Sequence, residues 1–359
     1  MERIAELVTP LVDGALAHHV GSAAAVSVGN HGSEVFRLLR GHVRRVPDLG
    51  PPIDDSTYFD LASLTKPIAT VASAMVLVGE NRLDLDTPIR HYLPDAASTG
   101  TVRHLLGHSA GCAAHVEFFR GGHRPYADLI ALAAREPLAY PPGTSTIYSD
   151  LGFLQLGAIV ERAADAPLDH AFATLVAQPL DLSARFPGAT PLPRSVATEI
   201  DPAREGLVSG LVHDENAYFG GGVCGHAGLF ATIGDVAAFA AALIDTVAGR
   251  PRGRWRTEVV RRFVDEAAAP ATTWRLGWDT PAVEPGVSHA GDRWPRTGAI
   301  GHTGFTGTSL WLDLPRGRWV ALLTNRVHPT RNGTAEPMKA LRREIGDAVV
   351  ALLDRAQRT

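Results

Sequence analysis

Apolar residues recur at helical spacing over residues 1–20, where Ile4, Leu7, Val8, Leu11, Val12 and Leu16 form one stripe. That pattern predicts an amphipathic helix. The period then changes. Residues 23–28 and 34–39 flank Asn30-His31-Gly32 and predict a β-hairpin with Asn/Gly turn chemistry. Gly50-Pro51-Pro52 marks a loop. Residues 64–80 carry Ile68, Val71, Met75, Val76 and Val78 with no Pro beyond Pro67. Proline is tolerated in a helix only in the first turn, so a helix is predicted to start near Ser63 or Leu64, with Ser63 at or beside the N-cap. Residues 81–95 are turn-rich, with a short helix start at Asp86-Thr87-Pro88. Helical patterns follow at 102–108, 126–135, 150–163 and 168–177, broken by Pro141-Pro142-Gly143 just before Tyr148. Residues 183–228 are rich in Gly, Pro and polar side chains and read as a long connection. An Ala-rich helix is predicted at 235–247, two strands at 298–313 and 318–327 around Leu314-Pro315-Arg316-Gly317, and a closing helix at 336–356. Strands at both ends with helices between them predict a mixed α/β (α+β) fold. Its antiparallel sheet comes from the N- and C-terminal segments, is flanked by helices, and carries an inserted helical lobe. The expected organisation is a single domain, with a sheet lobe from 1–80 plus 220–359, a helical lobe at 81–219, and the site between them.

Composition narrows the function classes. The 359 residues are 45 % hydrophobic and 20 % charged, within the range of a globular protein. A net charge of −4 argues against nucleic-acid and anionic-membrane partners. Met1-Glu2-Arg3-Ile4-Ala5-Glu6-Leu7 has acids where a signal peptide needs a basic start, and no run is expected to reach the roughly 18 apolar residues of a membrane span. The expected location is therefore cytoplasmic. Cys112 and Cys224 form no metal-type pair and are expected to be free thiols.

Candidate chemistry centres on Ser63-Leu64-Thr65-Lys66. Residues three apart share a helix face, so the Ser63 hydroxyl and the Lys66 amine can meet. Lysine and arginine together number 34, yet only Lys66 and Lys339 are lysine. Arginine does not give up its proton in a protein, whereas a desolvated lysine can, and can then activate a hydroxyl. Tyr148-Ser149-Asp150 follows a Pro/Gly loop and precedes a helix. A tyrosine near a lysine can share its proton, while Ser149 or Asp150 can equally be a helix cap. Gly301-His302-Thr303-Gly304 opens the late strand region with small residues, which would let a substrate lie along a strand edge.

Taken together, Ser63-Leu64-Thr65-Lys66, Tyr148-Ser149-Asp150 and His302-Thr303-Gly304 resemble the serine β-lactamase and penicillin-binding-protein superfamily, in the branch of class C β-lactamases, D,D-peptidases and related esterases. The resemblance covers about residues 20–350. It implies the β-lactamase-like fold and an acyl-enzyme on Ser63, with Lys66 as base and Tyr148 as proton shuttle. It also implies an oxyanion hole from the backbone N–H groups of Ser63 and Phe305, and substrate contacts at Asp150, His302, Thr303 and Gly304. No cofactor and no metal are implied. The implied partner is a small-molecule amide or ester, such as a cell-wall-derived muropeptide or a β-lactam; oligomeric state is left open. Two positions depart from the pattern. The second motif ends in Asp150 where relatives usually have Asn, and a carboxylate there would favour a charged Lys66. Residue 302 is His where many relatives have a carboxylate-binding Lys, so such recognition would weaken above its pKa. The stretches 212–217, 225–230 and 324–329 look like muramyl-peptide amidases and penicillin-binding-protein-4B-like proteins. The expected activity is cleavage of an amide or ester, as a muropeptide amidase or D-Ala carboxypeptidase. The alternatives are a short-chain carboxylesterase with weak β-lactam hydrolysis, or a non-catalytic ligand-binding sensor.

Other motifs compete. Gly107-His108-Ser109-Ala110-Gly111 fits the Gly-x-Ser-x-Gly elbow of α/β-hydrolases, but the preceding 102–106 reads as helix rather than buried strand. His104 and His108 are four apart without the Glu of a His-Glu-x-x-His site, which favours structural roles. His213-Asp214-Glu215-Asn216 and His226 could contact substrate or satisfy a turn. Tyr218, Trp278 and Trp311 could line a pocket or fill the core.

Overall fold

The computed structural model describes residues 2–204 and 206–356. Helix α1 (Glu2–Ala17) leads into the hairpin β1 (Ala23–Asn30) and β2 (Ser33–Gly41), whose turn is closed by His31 and Gly32, both at positive φ. After β3 (Phe59–Asp60) the chain makes a 3-10 turn at Ala62–Leu64, a π-helical turn at Lys66–Val71, and then helix α2 (Ala72–Gly79). The helical part follows with α3 (Ile89–Tyr92), α4 (Val102–Leu106), α5 (Tyr126–Arg135), α6 (Asp150–Ala164) and α7 (Leu168–Phe172). A small hairpin of β4 (Ala197–Asp201) and β5 (Gly206–Ser209) precedes α8 (Glu215–Phe219), β6 (Phe230–Ala231), α9 (Ile233–Val247) and α10 (Thr257–Asp265). Strands β7 (Ala299–Thr303), β8 (Ser309–Asp313) and β9 (Arg318–Thr324) and helix α11 (Ala335–Ala356) complete the fold.

The main sheet is antiparallel throughout, in the order β2-β1-β9-β8-β7. Successive residues of a strand face opposite ways. Ala24, Val26 and Val28 therefore pack with Ile4, Val8 and Val349 of α1 and α11, while Ala23 and Ala25 join the larger core with α2, α6 and α9. Helices cover both faces, which is why β1 is buried from Ala23 to Gly29 and made of small, mostly apolar residues rather than an alternation.

Four expectations need correction. The segment 298–313 is two strands, not one, because Gly304–Thr308 turns the chain. The Thr306 and Thr308 hydroxyls there donate to the carbonyls of Asp60 (2.7 Å) and Leu61 (2.9 Å), partners far away in sequence. The 183–228 connection contains β4, β5 and α8. Ser63 is not an N-cap: it sits inside the 3-10 turn, and Ala62 N–H is held by Asp60 Oδ1 at 2.8 Å. Finally, Ala62–Gly79 does reach 18 residues with a mean hydropathy of 1.4, the length and apolarity of a membrane span; 89 % of it is buried inside the fold, as the central helix of a core is on all sides. Cys112 and Cys224 are both buried and free.

Candidate active site

The site is built where the 3-10 and π turns, α6 and the edge strand β7 converge. Ala62 has φ +47°, a left-handed conformation that a non-glycine residue rarely adopts, and it sets the sharp turn that presents Ser63. Pro67 lacks an N–H, which suits the first turn of the widened helix that carries Lys66. Ser149 caps α6 by accepting from Gly152 N–H at 3.0 Å, so Tyr148 lies just outside the helix and Asp150 in its first turn.

The Lys66 side chain is fully buried and makes three donations: to Ser63 Oγ at 3.1 Å, Asp150 Oδ1 at 2.7 Å and the His226 carbonyl at 3.2 Å. Its amine lies 4.7 Å from the centre of the Tyr148 ring, and Tyr148 lines the same cleft as Ser63. Burial opposes the charge on Lys66, but the Asp150 carboxylate and the Tyr148 hydroxyl override it and hold the ammonium above its ordinary range. Burial pushes the Tyr148 phenol up, with Lys66 offsetting only part. Burial also works against the Asp150 charge, yet Lys66, His115 and His226 hold that carboxyl well below the usual range. On its other oxygen Asp150 faces His115 Nδ1 at 3.4 Å.

The turn after β7 closes the other side. A Cβ built on Gly304 would lie 3.4 Å from the Ala62 side chain, so this turn runs against the segment just before Ser63. Thr303, Gly304 and Phe305 line the cleft with Ser63, Tyr148 and Asp150; its volume is about 730 Å³. His302 lines it too, but as a buried neutral ring. Its Nδ1 is 2.8 Å from the Thr303 carbonyl, and burial together with Lys66 lowers its pKa to about 3. A cation for a substrate carboxylate is not supplied at residue 302.

Cations enter the cleft from elsewhere. Arg326, Lys339 and Arg342 are among the residues that line it. Arg342 donates to the carbonyls of Gly304 (2.8 Å) and Thr308 (2.9 Å), and burial next to Arg326 lowers its pKa to about 9. None of these was singled out from sequence, although the scarcity that draws attention to Lys66 applies equally to Lys339. Trp274 was also missed; it packs against the Tyr148 ring together with His108, at centroid distances of 5.4 and 4.8 Å, and the two rings also touch each other at 4.4 Å.

The remaining candidates separate cleanly. His213, Asp214 and Glu215 reach the cleft. His226 Nε2 pairs with Asp214 at 2.9 Å, which fixes the carbonyl that Lys66 uses. Asn216 is structural, bonding Phe119 N–H and the Val116 carbonyl. Trp278 and Trp311 are core, and Tyr218 packs under Arg204. His104 completes the α4 capping box, and His108 Nδ1 accepts from Ser149 N–H at 3.1 Å. Ser109 is buried, its hydroxyl directed at the His104 and Ala268 carbonyls, so it presents no nucleophile.

Comparison with known proteins gives a consistent picture. A sequence model described as Beta-lactamase matches residues 6–343. A protein of Escherichia coli (strain K12) provisionally named as a D-alanyl-D-alanine carboxypeptidase is 30 % identical over 320 residues, covering 79 % of this chain and 71 % of that one. Among solved structures, the hydrolase with promiscuous acyltransferase activity EstCE1 superposes with a TM-score of 0.76 at 23 % identity, covering 97 % of this chain and 99 % of that one. A mutant simvastatin synthase from Aspergillus terreus superposes at 0.74 and 20 % identity, covering 99 % and 98 %.

Proposed function

The chain belongs to the beta-lactamase family and is a serine hydrolase, and from that premise we propose that it cleaves an amide or ester through an acyl-enzyme on Ser63, acting on cell-wall-derived muropeptides as an amidase or D-Ala carboxypeptidase. The observation that carries the reading is the convergence of the Ser63 hydroxyl, the Lys66 amine and the Tyr148 phenol at one cleft. Ser63 Oγ attacks the substrate carbonyl, and the oxyanion forms against the backbone N–H groups of Ser63 and Phe305. The proton of Ser63 passes to Lys66, and Tyr148 delivers a proton to the leaving group. Water then releases the acyl group with the same residues acting in reverse. Arg326, Lys339 and Arg342 support a substrate with a free carboxylate, and the name of the Escherichia coli relative points the same way.

A fluorophosphonate probe with mass mapping, followed by assay of D-Ala or peptide release from muropeptides, tests this. Modification of Ser63, loss of turnover in Ser63→Ala and release of either product support it. Labelling without release from any muropeptide leaves the carboxylesterase alternative. An unlabelled Ser63 leaves the ligand-binding sensor, which the Asp150 lock on Lys66 favours.

A further inference from the structure

Building on that hydrolase reading, we propose that the cleft is made for a zwitterionic substrate: besides the carboxylate assigned to Arg326, Lys339 and Arg342, the substrate carries a primary ammonium, which Asp279 receives next to the Trp274 ring.

The charges of the cleft point to it. Three of its carboxylates are already paired: Asp150 with Lys66 at 2.7 Å, Asp214 with His226 at 2.9 Å and Glu215 with Arg331 at 2.7 Å. Asp279 lines the same cleft and has no ion-pair partner among the described residues. Glu336 has none either, but it is exposed and meets bulk water. Asp279 is half-buried. Burial pushes its carboxyl above the usual range, and Thr273, Thr280 and the Arg275 guanidinium offset only part of that. Its Oδ1 accepts from the Thr280 N–H at 2.9 Å. A side-chain amide oxygen would do that equally well, so the turn does not call for a charge. A cation brought by a ligand would relieve the cost of burying one.

Backbone bonds put an aromatic ring on the same spot. Thr280 N–H donates to the Thr273 carbonyl at 3.1 Å and Arg275 N–H to the Trp278 carbonyl at 2.7 Å, which sets Trp274 opposite Asp279. Cross-strand neighbours face the same way, and both residues line the cleft. On its other side Asp279 exchanges two backbone bonds of 2.9 Å with Gly301, which fixes it to the edge of β7. His302, the next residue of β7, is neutral and does not repel a cation. Trp274 also stacks on Tyr148 at 5.4 Å, so the spot adjoins the reacting groups. An ammonium there has a carboxylate to pair with and an indole to lie against.

The opposite charge is supplied separately. Arg326, Lys339 and Arg342 have no carboxylate partner among the described residues, whereas Arg331 is taken up by Glu199 and Glu215. Lys339 and Arg342 are three apart on α11 and share a face. The cation that acts on Asp279 is Arg275, not one of these three. A ligand with a carboxylate alone would leave Asp279 uncompensated; one with a charge of each sign satisfies both places.

The test follows hydrolysis of p-nitrophenyl acetate, a neutral ester, and its competitive inhibition by ω-amino acids of graded chain length, starting at β-alanine. Each is compared with its N-acetyl derivative, which keeps the carboxylate and loses the ammonium. At the best chain length the wild type is expected to bind the free amine about tenfold or more tightly than the acetylated form, the effect of one close charge pair. In Asp279→Asn, which still accepts from Thr280, that ratio is expected to fall to about one. Lys339→Gln is expected to weaken both forms and keep the ratio. No preference for the amine at any length, an undiminished preference in Asp279→Asn, or a ratio that collapses in Lys339→Gln instead overturns the ammonium subsite. Should Asp279→Asn fail to fold, Asp279→Glu decides. It carries the charge one methylene further and is expected to move the best inhibitor to a different chain length; an unchanged optimum overturns the subsite. Ester turnover that persists in Ser63→Ala would instead overturn the hydrolase reading.

Discussion

Lys66 and Asp150 are joined at 2.7 Å, the amine sealed in the core and the carboxylate left 18 % exposed at the cleft. The pair is thus a structural element of the interior as well as part of the site. The folded Lys66 pKa lies above 10.5, so its contribution to stability is present below 10.5 and is lost as pH rises through the folded value. The folded Asp150 pKa lies below 3.8, so its contribution is present above 3.8 and is lost as pH falls through the folded value. The pair therefore supports the fold throughout the range between those limits.

Lys66→Met should consequently damage both properties. Removing one partner of a buried pair strands the other, at a cost of about 3–5 kcal/mol. Urea denaturation at neutral pH should register that loss, and turnover should disappear with it. Asp150→Asn should cost less, because an amide needs no counter-ion and Lys66 can shed its proton. A Lys66→Met variant as stable as the wild type would show that the pair does not hold the core.

His302 should leave no mark on the pH profile. Its ring is neutral above about pH 3, because burial and Lys66 both oppose the imidazolium. Profiles of kcat/KM for the wild type and His302→Ala should run parallel from about pH 5 to 9, differing only in height. A limb that vanishes in His302→Ala would show a titrating residue 302. The lowered pKa also carries a stability consequence. The contribution of His302 is complete above 6.5 and declines as pH falls toward 3, so His302→Ala should soften the acid-denaturation limb in that window.

Two serines sit in hydrolase-like motifs, and only one should matter. Ser109 is buried and its hydroxyl is directed at the His104 carbonyl at 3.4 Å and the Ala268 carbonyl at 3.2 Å. Ser109→Ala should cost about 1 kcal/mol of stability and leave kcat intact. Ser63→Ala should abolish fluorophosphonate labelling. Label mapped to Ser109 in the Ser63→Ala protein would contradict the assignment.

The contrast between those serines shows which features a linear pattern exposes. The hairpin turn at His31 and Gly32 is local chemistry, visible as Asn-His-Gly between two strand-like segments. The Ser63–Lys66 contact spans one helical turn, so its spacing announces it. His115 carries no comparable signal. It meets Asp150 only because the segment after α4 folds back over the start of α6. The turn at 304–308 was unreadable for the same reason: the carbonyls that satisfy its threonines belong to residues before the nucleophile. The membrane-like length of 62–79 misleads in the opposite direction, because a helix wrapped by its own protein is apolar all round. Residue 302 shows a further limit. Its identity is plain in the sequence, but its burial, and hence its missing charge, is set by Tyr148 and Trp274 packed around it.

Gly304 tests whether that turn serves catalysis as well as packing. It stands where β7 passes closest to the segment before Ser63, and a Cβ there would run into the Leu61 carbonyl and the Thr308 hydroxyl. Neither has room to move. The Leu61 carbonyl already accepts from Thr308 at 2.9 Å, and Leu61 N–H is bonded to Leu229 at 3.0 Å. In Gly304→Ala the β7–β8 turn must therefore shift away from Ser63 and carry the Phe305 N–H with it. Overpacking of this kind costs about 1–3 kcal/mol, which thermal or urea unfolding would measure. If the Phe305 N–H stabilises the oxyanion, the same shift should lower kcat about 10²–10³-fold with little change in KM. Rates of ester turnover, measured well below the variant's melting temperature, separate the two effects. A Gly304→Ala protein that loses stability but keeps its kcat would remove Phe305 from the oxyanion hole and leave Gly304 with a packing role alone.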